Sequence, residues 1–469
     1  MAPALWKVKP ALESAASGVW VGPGSGPGKD GIWFGTLGEI VAGKQPQVWL
    51  ATGKEQVIAV VGKRGSGKSF TLGVIAEGLC VSGDAPSLST QSRRRATLLF
   101  DPLDVYWTSR FPVTATANPE ANRHYELAKS MKLTDATFSV DAWVPGTANQ
   151  RPTDPAWFKV LQLPVPLLGV DEWGLVLDIN VLTEPMGQAL ADLLPIVARN
   201  GYRRRGSAVS AKTTYGLEDL ISAVDSDEMA GAYHAETLRA LRQRLGALAN
   251  TGLFSAKGTP IRELLSAGTL SVVLLGRLPQ EYRSAVVALV TRLLVEERSR
   301  VAFAEKRLQL DPTLSDAEKT TLEGELKSGV PRTVVALDEA QTFLAPDRGN
   351  IARDVFIRLV KEGRNIGLSA VIATQQPSAI DTRVLSQVET FISHQLVTAP
   401  DIQAVKANLK ASLPDAAEFG KQEVQPSDVL RMLGPGQCLV SAADVNTTVR
   451  RSMIVNVRPR ATVHGGIEL

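Results

Sequence analysis

The sequence has little cysteine, little histidine and almost no net charge. Its 469 residues include two cysteines and four histidines, and 51 basic side chains nearly balance 48 acidic ones, for a net charge of +3. Cys80 and Cys438 cannot form a disulfide framework, and no CxxC pair is present. They read as buried small apolar residues in a reducing compartment. His124, His234, His394 and His464 lie far apart, which argues against a zinc site unless they converge in three dimensions. A pI near 8.7 is no nucleic-acid signature, so any such contact would come from local basic patches or a ring pore. No run reaches the roughly 18 uncharged apolar residues that cross a bilayer. The most apolar stretch, Leu161 to Leu182, is interrupted by Asp171, Glu172 and Asp178. The opening Met1-Ala2-Pro3-Ala4-Leu5-Trp6-Lys7-Val8 lacks the apolar core of a secretory signal. The expectation is a soluble, cytoplasmic protein without a membrane partner.

What is present is globular: 44% hydrophobic and 21% charged residues. At roughly 150 residues per domain, the length allows about three domains, or one large core with an inserted subdomain. Residues 1–55 read as a short β-rich segment. It contains the glycine-rich loop Gly22 to Gly28 and the strands Ile32-Trp33-Phe34 and Val48-Trp49-Leu50. All eight tryptophans fall at or before Trp173, which predicts rings packing small sheets or, alternatively, an interaction surface.

From Val57 the pattern changes. Val57 to Val61 is a continuous apolar run, as in a strand buried on both faces of a parallel sheet. A glycine-rich turn and a helix from Lys68 to Cys80 follow, and Ser82 to Pro86 break that helix. Ala96 to Phe100 completes a β-α-β unit. Further buried strands are predicted at Leu270 to Leu275, Thr333 to Leu337 and Ser369 to Ala373. Helices are predicted at Gly187 to Ala198, Ala235 to Leu248 and Gln280 to Leu308. Asp311 to Val330 is charged and reads as a turn-rich exposed insertion. The alternation predicts a doubly wound α/β core formed by residues 56–112 and 267–469, with 113–266 as a largely helical insertion.

Gly62-Lys63-Arg64-Gly65-Ser66-Gly67-Lys68-Ser69 matches GxxxxGK[ST]. Such a loop cradles phosphates with backbone N–H groups, because no side chain blocks the approach, and the helix N-terminus adds partial positive charge. The nucleotide-contacting run extends to Phe70. Lys68 is expected on the β- and γ-phosphates and Ser69 on Mg²⁺. Val334 to Leu337 ends in Asp338 and Glu339, at the carboxyl end of a buried strand. Asp338 would hold the Mg²⁺ shell and Glu339 would orient the attacking water. Val371 to Thr374 ends in Gln375, either a γ-phosphate and water contact or a turn-capping amide. Arg364, in Lys361-Glu362-Gly363-Arg364, is either an arginine finger reaching a neighbouring subunit or a solvated helix-end residue. Arg93-Arg94-Arg95 and Arg203-Arg204-Arg205 are either phosphate contacts or, the favoured reading, solvated loops or helix ends.

The order of these motifs resembles the HerA branch of the HerA/FtsK superfamily of ring-forming ATPases. It runs from the phosphate loop through Leu337-Asp338-Glu339-Ala340-Gln341, Thr374-Gln375-Gln376-Pro377-Ser378 and Leu385-Ser386-Gln387 to His464-Gly465-Gly466. The resemblance covers Val57 to the C-terminus. It implies a RecA-like P-loop core with a mainly parallel sheet, ATP and Mg²⁺ bound between subunits of a homo-hexamer, and movement along double-stranded DNA. It also implies a nuclease or other effector partner, in DNA processing or antiphage defence. Lys68, Ser69, Asp338, Glu339 and Gln375 then form the catalytic set, and Arg364 matches an arginine of the family's EGR stretch. Three features depart from the family. Gln376 stands where an arginine is frequent, Asp101-Pro102-Leu103-Asp104 lacks a glycine and glutamate, and little chain precedes Gln56 to build a barrel. The last departure favours an effector other than the usual nuclease. The alternative reading is an ATP-gated scaffold that organises an effector enzyme without processive translocation. A segregation or conjugation pump is a weaker third.

Overall fold

The computed structural model describes residues 6–8, 18–24, 26–41, 43–81, 87–347, 350–413, 417–419, 422–425, 428–446 and 452–466. The predicted helix break at Ser82 to Pro86, Ser25 of the glycine-rich loop, and the opening residues other than Trp6–Val8 lie outside these residues. The chain divides into two compact units, one of residues 1–141, 265–272 and 295–469, the other of 142–264 and 273–294.

The first unit is built on strands β1 (Val19–Val21), β2 (Gly31–Leu37), β3 (Gln47–Ala51), β4 (Val57–Val61), β5 (Ala96–Asp101), β6 (Thr333–Leu337), β7 (Leu368–Thr374), β8 (Thr390–Ser393), β9 (Gln437–Ala442) and β10 (Met453–Val457). Within this unit they lie in the order β1-β3-β2-β10-β9-β8-β4-β7-β6-β5. The block β8-β4-β7-β6-β5 is parallel. Every residue of β4, β6 and β7 is buried, as expected where crossover helices cover both faces of a parallel sheet. The α/β class and mainly parallel core agree with the sequence expectation. The antiparallel extension does not stand out in the sequence. β8, β9 and β10 are short apolar runs, and β10 pairs with β2, which brings the N-terminal strands into the main sheet. The tryptophans there pack this extension, with Trp20 and Trp49 stacked at 5.3 Å.

The helix α1 (Lys68–Cys80) is buried all round except at Ser69 and Phe70. It therefore carries no polar stripe, and its one acid is neutralised internally. Glu77 accepts from Arg458 Nη1 at 2.8 Å, Arg460 Nε at 3.1 Å, and the backbone N–H groups of Ala461 and Thr462. Both guanidiniums are essentially inaccessible to solvent. Burial works to raise the Glu77 carboxyl. Arg458, Arg460 and the Thr462 hydroxyl outweigh it and hold Glu77 below the usual carboxylate range.

Gly73 faces this cluster, and a Cβ there would lie 2.6 Å from Arg460 Cζ. Because Arg460 is tied on several sides, it cannot yield. Gly73→Ala is therefore expected to lower the thermal midpoint, since overpacking of about 1–3 kcal/mol outweighs the helix-propensity gain. Gly246→Ala is the internal contrast. No atom lies within 4 Å of a Cβ built there, in the helix Ala235–Ala249, so its midpoint should hold or rise by the propensity gain of about 1 kcal/mol. Equal shifts in the two variants would contradict the packing account.

Two readings of the sequence need correction. Asp311 to Val330 is not mainly turns. Asp316–Ser328 is a helix opened by a reciprocal cap between Ser315 and Glu318, and Leu314, Leu322 and Leu326 pack on Ala304 and Leu308. The Ser-x-x-Glu cap signal was present but outweighed by the charge density. Arg95 is not a solvated loop residue either. It is 5% exposed, donates to the Thr52 carbonyl and pairs with Glu55 at 3.0 Å. Arg203 to Arg205 lie on or beside the hairpin Tyr202–Arg204/Ser207–Val209, where Arg204 pairs with Asp225 at 3.3 Å.

The second unit is mainly helical, with helices Val170–Leu177, Pro185–Pro195, Leu217–Val224, Asp227–Ala232 and Ala235–Ala249. Buried Leu190, Leu193, Leu220, Leu241 and Leu245 form its apolar interior. Trp173 stacks on Phe254 at 5.9 Å, and Arg277 pairs with Asp154 at 2.6 Å.

Candidate functional site

The register of the parallel block decides where the chemistry collects. Leu337 lies opposite Ile372 and Phe100, and Thr374 lies opposite Val61. The residues at or just beyond these strand ends are Gly62, Asp101, Asp338, Glu339 and Gln375, and they emerge along one edge of the sheet. Strand ends of an open parallel sheet are where ligands bind, because the flanking helices leave a crevice there.

The loop after β4 wraps back on itself. Ser66 Oγ donates to the Lys63 carbonyl at 2.7 Å, and Lys68 Nζ donates to the same oxygen at 3.3 Å. Gly67 caps α1 with φ 107°, a left-handed conformation that a side chain would strain. The first-turn N–H groups of α1 have no partner within the helix and form an anion cradle at Lys68, Ser69 and Phe70. Lys68 is 5% exposed. Burial lowers its pKa, while Glu339 and Asp338 pull it upward. An ammonium held this way beside a backbone cradle suits a phosphate chain. Lys63, Arg64 and Gly65 form the exposed outer rim of the loop.

Asp338 is fully buried and receives the Tyr106 hydroxyl at 2.9 Å and the Glu339 backbone N–H at 2.9 Å. Burial raises its pKa; the Tyr106 hydrogen bond works against that and the Glu339 charge adds to it. Ser69 Oγ lies 3.5 Å from Asp338 Oδ2. One hydroxyl and one desolvated carboxylate at this spacing are hard oxygen donors. They fit Mg²⁺, which takes few protein ligands and completes its shell with phosphate oxygens and water.

Glu339 adopts φ 47°, a strained conformation for a non-glycine residue and one found disproportionately at active sites. Its two carboxylate oxygens are held separately. Gln375 Nε2 donates to Oε1 at 2.5 Å, and Gln341 Nε2 donates to Oε2 at 2.6 Å. Gln341 Oε1 accepts from Thr374 Oγ1 at 2.6 Å, which fixes the amide. The acid is aimed by two strand ends at once, an arrangement suited to positioning a water molecule.

Lys68, Ser69, Asp338, Glu339 and Gln375 thus come together, and Arg364 does not join them. It lies in the last turn of the helix Ile351–Ile366, before β7 begins, and pairs loosely with Glu389 at 3.7 Å with 64% of its side chain exposed. The length of β7, about 20 Å, separates it from Gln375 of the same chain.

Several residues at the site were not singled out from the sequence. Tyr106 carried no motif signal. Gln341 stood inside the acidic stretch but was given no role. Asp101 was noted only as a departure from a family pattern. Its carboxyl, fully buried and accepting from the Tyr106 and Leu103 backbone N–H groups, is pushed by burial up to about 8. His394 lies under the loop. Its Nδ1 donates to the Gln437 carbonyl at 2.9 Å, which leaves Nε2 to accept from Thr71 Oγ1 at 2.9 Å. Burial lowers its pKa to about 4, so it is a neutral strut between β8, β9 and α1.

Comparison with known proteins gives a consistent picture. A family model described as the central domain of the helicase HerA matches residues 37–294. That range includes the phosphate loop and ends before Asp338. A DNA double-strand break repair helicase HerA of Pyrococcus furiosus is 24% identical over 168 residues, covering 34% of this chain and 30% of that protein. The same-named protein of Saccharolobus solfataricus is 23% identical over 159 residues, 34% of this chain and 28% of its own length. The matches therefore span less than a third of each of these curated relatives. Among solved structures, VirB4 of Thermoanaerobacter pseudethanolicus superposes with a TM-score of 0.51 at 15% identity, covering 94% of this chain and 98% of that one. That likeness establishes a shared RecA-like P-loop fold. Among the described residues, no helix is long and apolar enough to cross a membrane.

Proposed function

The chain belongs to the family defined by the central domain of the helicase HerA, and from that premise we propose that it is a Mg²⁺-dependent, ring-forming ATPase. It moves along double-stranded DNA and works with a nuclease or other effector protein. The observation that carries the reading is the convergence of Lys68, Ser69, Asp338, Glu339 and Gln375, from separate segments, on one sheet edge.

In this reading the α1 N-terminus and Lys68 bind the triphosphate. Ser69 and Asp338 hold Mg²⁺, which when bound neutralises phosphate charge. Glu339 orients a water molecule in line with the γ-phosphorus and accepts its proton as the P–O bond to ADP breaks. Gln375 fixes the Glu339 carboxylate and contacts the γ-phosphate. Positioning and charge neutralisation of this kind supply most of the catalysis in phosphoryl transfer. Arg364, remote from its own site, would serve a neighbouring subunit's nucleotide. A homo-hexamer with sites between subunits gives it that opportunity.

The test is steady-state ATP hydrolysis with and without linear duplex DNA, on protein whose solution mass is recorded in the same sample. A particle near six times 50.2 kDa, stimulated by DNA and inactive as Lys68→Ala, is the expected result. Normal hydrolysis by Lys68→Ala would overturn the site.

A second reading, an ATP-gated scaffold for an effector enzyme, gains weight from the basic clusters. Arg95 is buried against Glu55 and so is not available to grip phosphates, and Arg204 is paired with Asp225. Hydrolysis by the ring that ignores DNA would favour it.

A further inference from the structure

α1 is open to ligand only at Ser69 and Phe70. Ser69 faces Asp338, so whatever extends from a phosphate seated on the first turn leaves along the helix past Phe70. There the Phe70 ring is flanked by two histidines from distant parts of the chain. His124, on the helix Pro119–Ser130, lies with ring centroids 5.5 Å apart and planes at 43°. His464, in the C-terminal tail, meets the Phe70 ring edge-on at 5.8 Å. All three residues are half-buried.

The tail that brings His464 here is firmly placed. The Val463 backbone N–H donates to Phe111, the Val113 N–H donates to Ala461, and Thr108 Oγ1 donates to the Val463 carbonyl, each at 2.9 Å. Arg460 donates from Nη1 to His464 Nδ1 at 3.1 Å and from Nη2 to Ser109 Oγ at 2.8 Å. A guanidinium can only donate. His464 Nδ1 is therefore the acceptor, and Nε2 carries the proton. Burial, reinforced by Arg460, lowers the His464 pKa to about 4, and burial also lowers that of His124. Near neutral pH both rings are uncharged. They are poor phosphate ligands and good flat faces, and His464 adds one N–H donor.

We propose that Phe70, His124 and His464 form a stacking platform for the nucleobase of the nucleotide whose phosphates occupy the Gly62–Ser69 loop, with His464 Nε2–H donating to a ring nitrogen of the base. The inference rests on the reading of that loop as a triphosphate site. Base–aromatic stacking tolerates any base but favours the larger face of a purine. This gives the His-Gly-Gly tail, which the hydrolytic machinery does not use, a direct part in binding.

The experiment compares two ligands that share a polyphosphate and differ in the base, ATP and inorganic tripolyphosphate. Binding of each is measured to the full-length wild type, His464→Ala, His464→Phe and His124→Ala. His464→Ala is expected to weaken ATP binding about tenfold, within the range for loss of one base–aromatic contact. Tripolyphosphate binding should be unaltered, which also reports that the loop is intact. His464→Phe should recover most of the ATP affinity, and the loss should appear in KM. Equal weakening of both ligands would reduce His464 to a structural prop and overturn the platform. So would an unaltered ATP affinity in both alanine variants. Either result leaves the loop assignment standing. A wild type that binds neither ligand would overturn both readings.

Discussion

Glu339→Gln leaves ATP binding intact and lowers steady-state hydrolysis by about 10²- to 10⁴-fold, the range for loss of a positioned general base. The substitution keeps the size of the side chain and one hydrogen-bond acceptor, so the strained turn at φ 47° should persist. What is lost is the proton-accepting oxygen. The amide also has to place its NH₂ against Gln341 Nε2 or Gln375 Nε2, both of which donate to the wild-type carboxylate. A donor facing a donor turns the group away from the water site, so misplacement adds to the chemical loss. Phosphate release at saturating ATP measures the rate, and nucleotide affinity measured in parallel separates chemistry from binding. Near wild-type turnover would exclude Glu339 from the reaction. Weakened binding with turnover preserved at saturation would make it a ground-state ligand.

Glu77→Gln should cause the largest loss of stability of any single change considered. The carboxylate is surrounded by two buried guanidiniums, the Thr462 hydroxyl and two backbone N–H groups. Removing its charge leaves Arg458 and Arg460 buried without compensation, a cost of about 3–5 kcal/mol when one partner of a buried pair is lost. The sign with pH follows from the direction of its shift. The folded-state pKa lies below the unfolded one, so the stabilisation is present above the unfolded value near 4.3 and is lost as pH falls through the folded value. Wild type should therefore lose stability on acidification in a window below about pH 4 that Glu77→Gln lacks. Denaturant midpoints at pH 7 and at acid pH test both parts. An unchanged midpoint at pH 7 would mean the cluster contributes nothing net.

Much of this arrangement could be read from the sequence, for identifiable reasons. β4, β6 and β7 are largely apolar runs, β4 leading into the phosphate-loop motif, β6 into Asp338 and Glu339, and β7 into Gln375, so the strands and the residues at their ends were legible together. α1 was legible because a phosphate-loop motif fixes where its helix starts. The sheet's other half was not. β8, β9 and β10 are short, their pairing joins residues far apart in the chain, and no local pattern encodes such pairing. Tyr106 carries no motif, and the strut role of His394 is not legible locally, because each acts through a partner that only the fold supplies, Asp338 for one and Thr71 for the other. Arg460 carries no motif signal. Nothing local indicates that Glu77 and Gly73 await it.

The ties between α1 and the tail bear on how the protein is made. Glu77 and Arg458 are 381 residues apart in the chain. At ribosomal rates of about 5–20 residues per second, the arginine follows the glutamate by about 20–80 s. Throughout that interval the nascent phosphate loop and its helix exist without the group that neutralises the helix interior, and β2 lacks its neighbour β10. The packing of α1 is therefore completed only once the segment carrying Arg458 has been made. A polypeptide stalled or cleaved before Arg458 carries the whole phosphate-loop motif but lacks the group that neutralises the interior of its helix, and should be cleared by proteolysis.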